Sequence, residues 1–431
     1  MKETKNSVGQ DMYDLAKELY PICRSITGNG VRETLAVVNK HIPLDISEVP
    51  TGTKVFDWVV PKEWNIKDAY IKDKSGNKIV DFKENNLHVV GYSQAVNDRL
   101  SLQELTPHLH TLPGKPDWVP YRTSYYDESW GFCLSHKQYL SLADDTYDVV
   151  IDSELSEGSL TLSEYVIPGE TDREVLFSTH ICHPSLANDN LSGIALLTYL
   201  AKELSVISTR YTYRFLFVPG TIGSISWLSL NENKAKNIDH GLVISCVGDE
   251  GGPTYKRSRR GNAPIDVAME HVLRNSHLNG ELEDFSPYGY DERQYCSPGF
   301  NLPVGLFERS KYGEYSEYHT SADDLSLISP QNLGESFQLV RSAIDILENN
   351  RKYLNLNGKC EPQLGRRGLY SAIGGDNEKA NKQLAMLWIL NQSDGNNSLL
   401  DIAVKANLSF SLVHETAVLL EEKGLIEEIE E

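Results

Sequence analysis

The sequence predicts an α/β protein with a mixed, mostly parallel central sheet flanked by helices. Three observations carry this. Beyond residue 170, apolar strand-like runs alternate with segments of helical periodicity. Those runs are continuously apolar, as in strands buried on both faces. Histidines and carboxylates follow several of them, at the carboxyl ends of strands where α/β sheets bind ligands.

Taken in order, residues 10–40 read as helical, with Met12, Leu15, Ala16 and Leu19 on one face and Val31, Leu35 and Val38 on another. Residues 46–135 differ. Prolines interrupt short β-like runs such as 55–60, Lys74–Lys78 is a turn signal, and four of the six tryptophans fall here. This reads as an inserted small α+β domain. Strands follow at 147–151, 160–167 and 174–177, then a helix at 191–204 and strands at 213–218 and 241–247. Helices at 264–274 and 332–349 enclose a strand at 304–307. Residues 350–380 are polar and glycine-rich. The final fifty residues resolve into helices at 384–390, 398–404 and 411–422, with Ser398 as an N-cap and 424–429 as a wing strand. The expected domains are a core from 1–45 and 136–350, the insert at 46–135, and a winged-helix-like domain at 351–431.

The 431 residues carry a net charge of −20, which repels nucleic acid and anionic lipid in the absence of a local basic patch. The N-terminal residues contain no apolar signal-peptide core, and no apolar run reaches spanning length. The six cysteines are dispersed without a CxxC pair, as in a reduced, cytoplasmic protein.

Three clusters bear on chemistry. The strand at 174–177 runs into Ser178-Thr-His180-Ile-Cys-His183, and Asn188-Asp189-Asn190-Leu-Ser-Gly193 opens a helix. The strand at 241–247 leads to Asp249-Glu250, and Glu317-Tyr-His319-Thr320-Ser-Ala-Asp323-Asp324 follows the strand at 304–307. Imidazoles and carboxylates from separate strand ends can converge on a divalent metal, usually zinc. Taken singly, each residue has a plainer reading: Asp189 as a helix cap, Asp249 as a turn residue, and a histidine as a hydrogen-bonded structural group.

The order of these motifs resembles the co-catalytic zinc aminopeptidases, the clan that includes glutaminyl cyclases. The carriers are Thr179-His180-Ile-Cys182, Asp189-Asn190-Leu-Ser192-Gly193 and Tyr318-His319-Thr320-Ser-Ala-Asp323. The resemblance implies a zinc aminopeptidase-like core with one Zn2+ held by His180, Asp189 and His319, and Asp249 as a candidate fourth ligand. It also implies a substrate pocket of Asp291, Arg293, Gln294 and Tyr318. The sequence departs from the pattern in three places. Cys182 replaces the Asp that orients the first metal histidine. Gly220-Thr221 stands where the family has the Glu-Glu pair that supplies the general base and a metal ligand. Cys246 falls near the third-strand Asp.

Over nearly the whole chain the sequence resembles, more closely than the wider clan, polysaccharide-biosynthesis proteins with an aminopeptidase-like domain, an inserted domain and a winged-helix tail. It implies action on a small molecule such as a modified sugar, in making a cell-surface carbohydrate. Three readings stay open: an aminopeptidase-like protein with altered chemistry; an active metallo-aminopeptidase or amidohydrolase using Asp249, Glu250 or His183 as base; and a ligand-binding regulator or scaffold. Residues 380–431 hold three lysines against nine carboxylates, so the tail is expected to dock protein and to avoid DNA.

Overall fold

The computed structural model describes residues 2–369 and 377–429. The chain divides into two compact units: Met1–Ala263 with Leu278–Gln338, and Pro264–His277 with Leu339–Glu431.

The first unit is built on an eight-stranded sheet. Its order is Asp45–Pro50, Ser159–Ile167, Thr212–Val218, Glu174–His180, Ile238–Ile244, Val304–Glu308, Thr254–Lys256, Glu281–Glu283. The four central strands, Thr212–Val218 to Val304–Glu308, are mutually parallel. The strands beside them, Ser159–Ile167 and Thr254–Lys256, run antiparallel. The mixed, mostly parallel sheet is therefore the expected one. Central strands such as Glu174–His180 are buried at every position, which explains their unbroken apolar sequence.

Arg214 is an exception within that apolar layer. Its Nε and Nη2 donate to Glu174 at 2.7 and 2.8 Å, and its Nη1 donates to Glu164 at 2.7 Å. Three adjacent strands are thus tied by one guanidinium that is almost wholly buried.

The inserted region forms its own antiparallel sheet, in the order Lys78–Asp81, Glu63–Lys72, Thr146–Ser156, Val96–Ser101. The boundaries differ from the expected ones. Asp45–Pro50 joins the large sheet, and the insert's longest strand is Thr146–Ser156, beyond residue 135. Alternation explains it: Tyr147, Val149 and Ile151 are buried between exposed or half-buried neighbours, a period-2 pattern that pairs with Glu63–Lys72. Asp73 closes the predicted turn by accepting from the Ser75 and Asn77 amides, and Gly76 supplies its positive φ of 82°.

The second unit has a three-stranded antiparallel sheet, Asp394–Ser398, Lys352–Asn355 and Ile426–Glu428, with helices Asn377–Gln392, Leu399–Ala406 and Phe410–Glu422. Ser398 caps its helix as read from the sequence, and the structure adds a reciprocal hydrogen bond with Asp401. Asn407, in the left-handed conformation, makes the turn between the last two helices. The helix Pro264–Asn275, expected in the core, falls in this unit. Part of the glycine-rich segment at 370–376 lies outside the described residues.

Replacing Arg214 with Met leaves the Glu174 carboxylate buried without its partner. Loss of one member of such a pair costs about 3–5 kcal/mol. Urea unfolding of Arg214→Met should show a loss of that size, and a loss under about 1 kcal/mol would contradict the role given to the ion cluster.

Candidate metal-binding site

His180 is the last residue of its strand, so its ring emerges at the carboxyl edge of the sheet. The chain then enters Ala187–Ser192, an irregular helical turn in which Asp189 and Asn190 have non-helical backbone angles. Asp189 is consequently not a helix cap. Its carboxylate is fully buried, with Oδ1 2.8 Å from His180 Nε2 and Oδ2 2.9 Å from His319 Nε2. His183 Nε2 lies 4.0 Å from the same Oδ2. Burial works to raise the Asp189 pKa. The imidazoles, His183 foremost, outweigh it and hold the carboxyl well below the usual range. Burial drives His183 the other way, down to about 3 despite the attraction of Asp189.

The arrangement fits a divalent cation. Ligand atoms of His180, His183 and Asp189 all lie within 4.8 Å of one another, the one such group found among the described residues. A carboxylate shared among imidazoles is a zinc-type donor set.

The backbone around Asp189 is held from below. Asp323 accepts from the Asn188 amide at 2.6 Å and the Asp189 amide at 3.0 Å. Burial, then the charge of Asp189, raise the Asp323 pKa to about 8. Asp324 instead caps the next turn through the Ser326 amide. His319 has φ 53°, a left-handed conformation that costs a non-glycine residue of order 1–3 kcal/mol and recurs at functional sites. Its ring stacks on Tyr318, centroids 3.9 Å apart, and its carbonyl accepts from the Tyr121 amide at 2.8 Å.

Asp249 stands apart from this group. The strand expected to reach Val247 ends at Ile244, so Asp249 lies well past the sheet edge. It is buried, with Oδ2 2.5 Å from Asn188 Nδ2 and Oδ1 accepting from Ser310 and the Gly251 amide. Its place is to brace the residue before Asp189. Glu250 is exposed. Cys246, with φ 51°, takes the strand-end position, its Sγ 3.3 Å from Tyr290 Oη. Burial pushes its thiol well above the ordinary range. Cys182 does not orient His180 as a carboxylate would. Its Sγ lies 3.6 Å from His183 Nδ1 and 3.7 Å from the Gly220 carbonyl.

A cavity of about 330 Å³ opens over His180 and His183. Trp58, Tyr126, Tyr288, Tyr290, Tyr312 and Tyr318 contribute its aromatic walls, and Gly220 and Thr221 part of its floor. Of the expected pocket residues, Asp291, Arg293 and Tyr318 line it. Gln294 is not among its lining residues: in the short helix Glu292–Tyr295 it follows Arg293 by a turn of about 100°. Asp291 is 1% exposed, and burial raises its pKa to about 6.

Comparison with known proteins agrees with this architecture. The family described as domain of unknown function DUF4910 matches residues 13–350, and a winged helix-turn-helix family matches residues 351–428. The chain belongs to the DUF4910 family. A curated Clostridium acetobutylicum protein, provisionally named a polysaccharide biosynthesis protein with aminopeptidase-like domain, is 55% identical over 96% of this chain and 95% of its own length. A crystal structure from Clostridium acetobutylicum, provisionally described as a peptidase, superposes with a TM-score of 0.95 at 53% identity. It covers 99% of this chain and 98% of that one. The zinc aminopeptidase BSAP of Bacillus subtilis shares the fold, with a TM-score of 0.56 and 11% identity over 79% of this chain and 94% of its own.

In this DUF4910 chain His183, expected only as a candidate base, joins the ligand cluster, and Tyr121, which no motif marks, packs against it. For the aromatic walls the available signal was composition: six tyrosines lie between residues 288 and 318. Tyr290 stacks on His180 with centroids 4.8 Å apart, and Tyr121 meets both His183 and His319 edge-on.

Full-length protein purified with zinc should retain it stoichiometrically by elemental analysis. Asp189→Ala should lose it, while Asp249→Asn, in a bracing position, should keep it. Equal zinc in wild type and Asp189→Ala would refute the assignment.

Proposed function

We propose that this protein is a metal-dependent hydrolase of a small amide-bearing molecule, not a conventional aminopeptidase, and that it acts in making a modified cell-surface carbohydrate. The observation that carries the reading is the Asp189 carboxylate set between His180 and His319 beneath an aromatic-walled cavity, with no carboxylate at 220–221. One zinc ion held by His180, His183 and Asp189, with His319 on the Asp189 Oδ2 side, would supply Lewis-acid polarisation of a carbonyl. The remaining chemistry falls to the chain. The aromatic walls suit the apolar face of a sugar ring, and Arg293 Nε, without a hydrogen-bond partner among the described residues, is a free donor for a polar substituent.

A carbohydrate role is supported by the name of the 55% identical relative. Altered peptidase chemistry is supported by Gly220-Thr221, since a general base is worth roughly 10²–10⁴-fold. The acidic tail, with three lysines in residues 380–431, favours a protein partner over DNA. No helix among the described residues is long and apolar enough to cross a membrane.

Turnover can be compared between aminoacyl anilides and amino sugars bearing N-acyl or N-aminoacyl groups, with zinc and with a chelator. The expected result is chelator-sensitive release from an N-substituted sugar, with anilide turnover below about 1 s⁻¹, the low end of ordinary enzymes. Anilide turnover above that value, abolished by His319→Ala, would instead establish a working aminopeptidase.

A further inference from the structure

Asp291 is the one carboxylate among the residues lining the cavity. It arrives from a separate loop, after the strand Glu281–Glu283 and at the start of the short helix Glu292–Tyr295. Its side chain nevertheless reaches their position. A Cβ built on Gly220 would sit 3.7 Å from Asp291 Oδ1 and 3.1 Å from His180 Cβ. The space in which a glutamate at 220 would begin is therefore closed by the His180 side chain and bordered by the Asp291 carboxylate.

The two oxygens of Asp291 differ. Oδ1 lies 2.8 Å from Ser224 Oγ, which is also 2.8 Å from the Thr221 carbonyl. Oδ2 is buried and has no hydrogen-bond partner among the described residues. A buried, unpaired carboxylate oxygen is costly, so a group that retains one beside a ligand cavity is available to a ligand or a reacting proton.

A second set of contacts fixes the helix that carries Asp291. Glu292 pairs with Lys256 at 2.5 Å, both fully buried, and the Lys256 ammonium also donates to the Tyr288 carbonyl at 2.8 Å. The carboxylate is thus presented from an anchored segment.

We propose that Asp291 is the proton-accepting carboxylate of this site and takes over from a separate loop the work that Gly220-Thr221 cannot do. The inference rests on the reading of the site as amide-cleaving. In that reaction Asp291 takes a proton from water as the water oxygen bonds to the acyl carbon. It returns the proton to the nitrogen as the C–N bond breaks, giving a carboxylic acid and an amine.

The test uses L-alanine hydroxamate, a metal-binding probe that must give up a proton when it binds as an anion. Calorimetry on zinc-loaded, full-length protein should show binding. Asp291→Asn should retain zinc but weaken binding at least about tenfold, the value of a hydrogen bond to a charged group. Equal affinity in the two proteins would overturn the proposal and leave the metal site standing. No binding to zinc-loaded wild type would overturn the amide-cleaving reading, and this proposal with it. Should Asp291→Asn fail to fold, wild-type binding is repeated in mildly alkaline buffers of different ionisation enthalpy. Heat independent of the buffer supports capture of the proton inside the site, and release of a full proton to buffer overturns it.

Discussion

The first unit is organised around one costly act, the complete burial of the Asp189 carboxylate. An ionised carboxylate in a protein interior loses several kcal/mol of solvation, and it is stable there only with close cationic or hydrogen-bonding partners. Here each oxygen faces an imidazole, and the proposed metal would complete the compensation. Much of the surrounding structure serves to keep this geometry. Asp323 grips the backbone at Asn188 and Asp189, Asp249 grips the Asn188 side chain, and Tyr290 and Tyr318 stack on His180 and His319. Two residues at the site, Cys246 and His319, adopt left-handed backbone conformations that packing must sustain.

The inserted region takes part in this arrangement. Its segment 119–121 pairs with the late histidine motif: the Tyr121 amide donates to the His319 carbonyl, and the Ser321 amide donates to the Val119 carbonyl. Pro120 forms an isolated bridge with Thr320. Trp58, Tyr125 and Tyr126 reach the cavity from the same region. The insert therefore both fastens His319 and lines the cavity.

The buried strands, the three-helix tail and the order of the two end motifs were legible because each depends on local pattern. Continuous apolar runs identify central strands, and Ser398 identifies a helix start. The errors arise where apolar sequence continues past the element it describes. Val243-Ile-Ser-Cys-Val247 reads as strand to its end, yet the ladder stops at Ile244, which moves Cys246 to the site and Asp249 away from it. The insert's boundary failed similarly, because Thr146–Ser156 alternates like a strand of either sheet and only pairing decides between them. The proximity of Asp291 to Gly220 spans 71 residues and depends on two loops meeting, which no periodicity encodes. The buried pair of Lys256 and Glu292 is equally invisible, since charged residues in a sequence read as surface.

The central claim is that Asp189 and the imidazoles around it form a nitrogen–oxygen metal centre, with the neighbouring thiols of Cys182 and Cys246 left out. X-ray absorption at the zinc edge of the loaded, full-length protein tests it most directly. The expected spectrum shows nitrogen and oxygen neighbours alone at about 2.0–2.2 Å, with imidazole back-scattering. A sulfur contribution at about 2.3 Å would contradict it and put a cysteine where His319 or His183 is placed here.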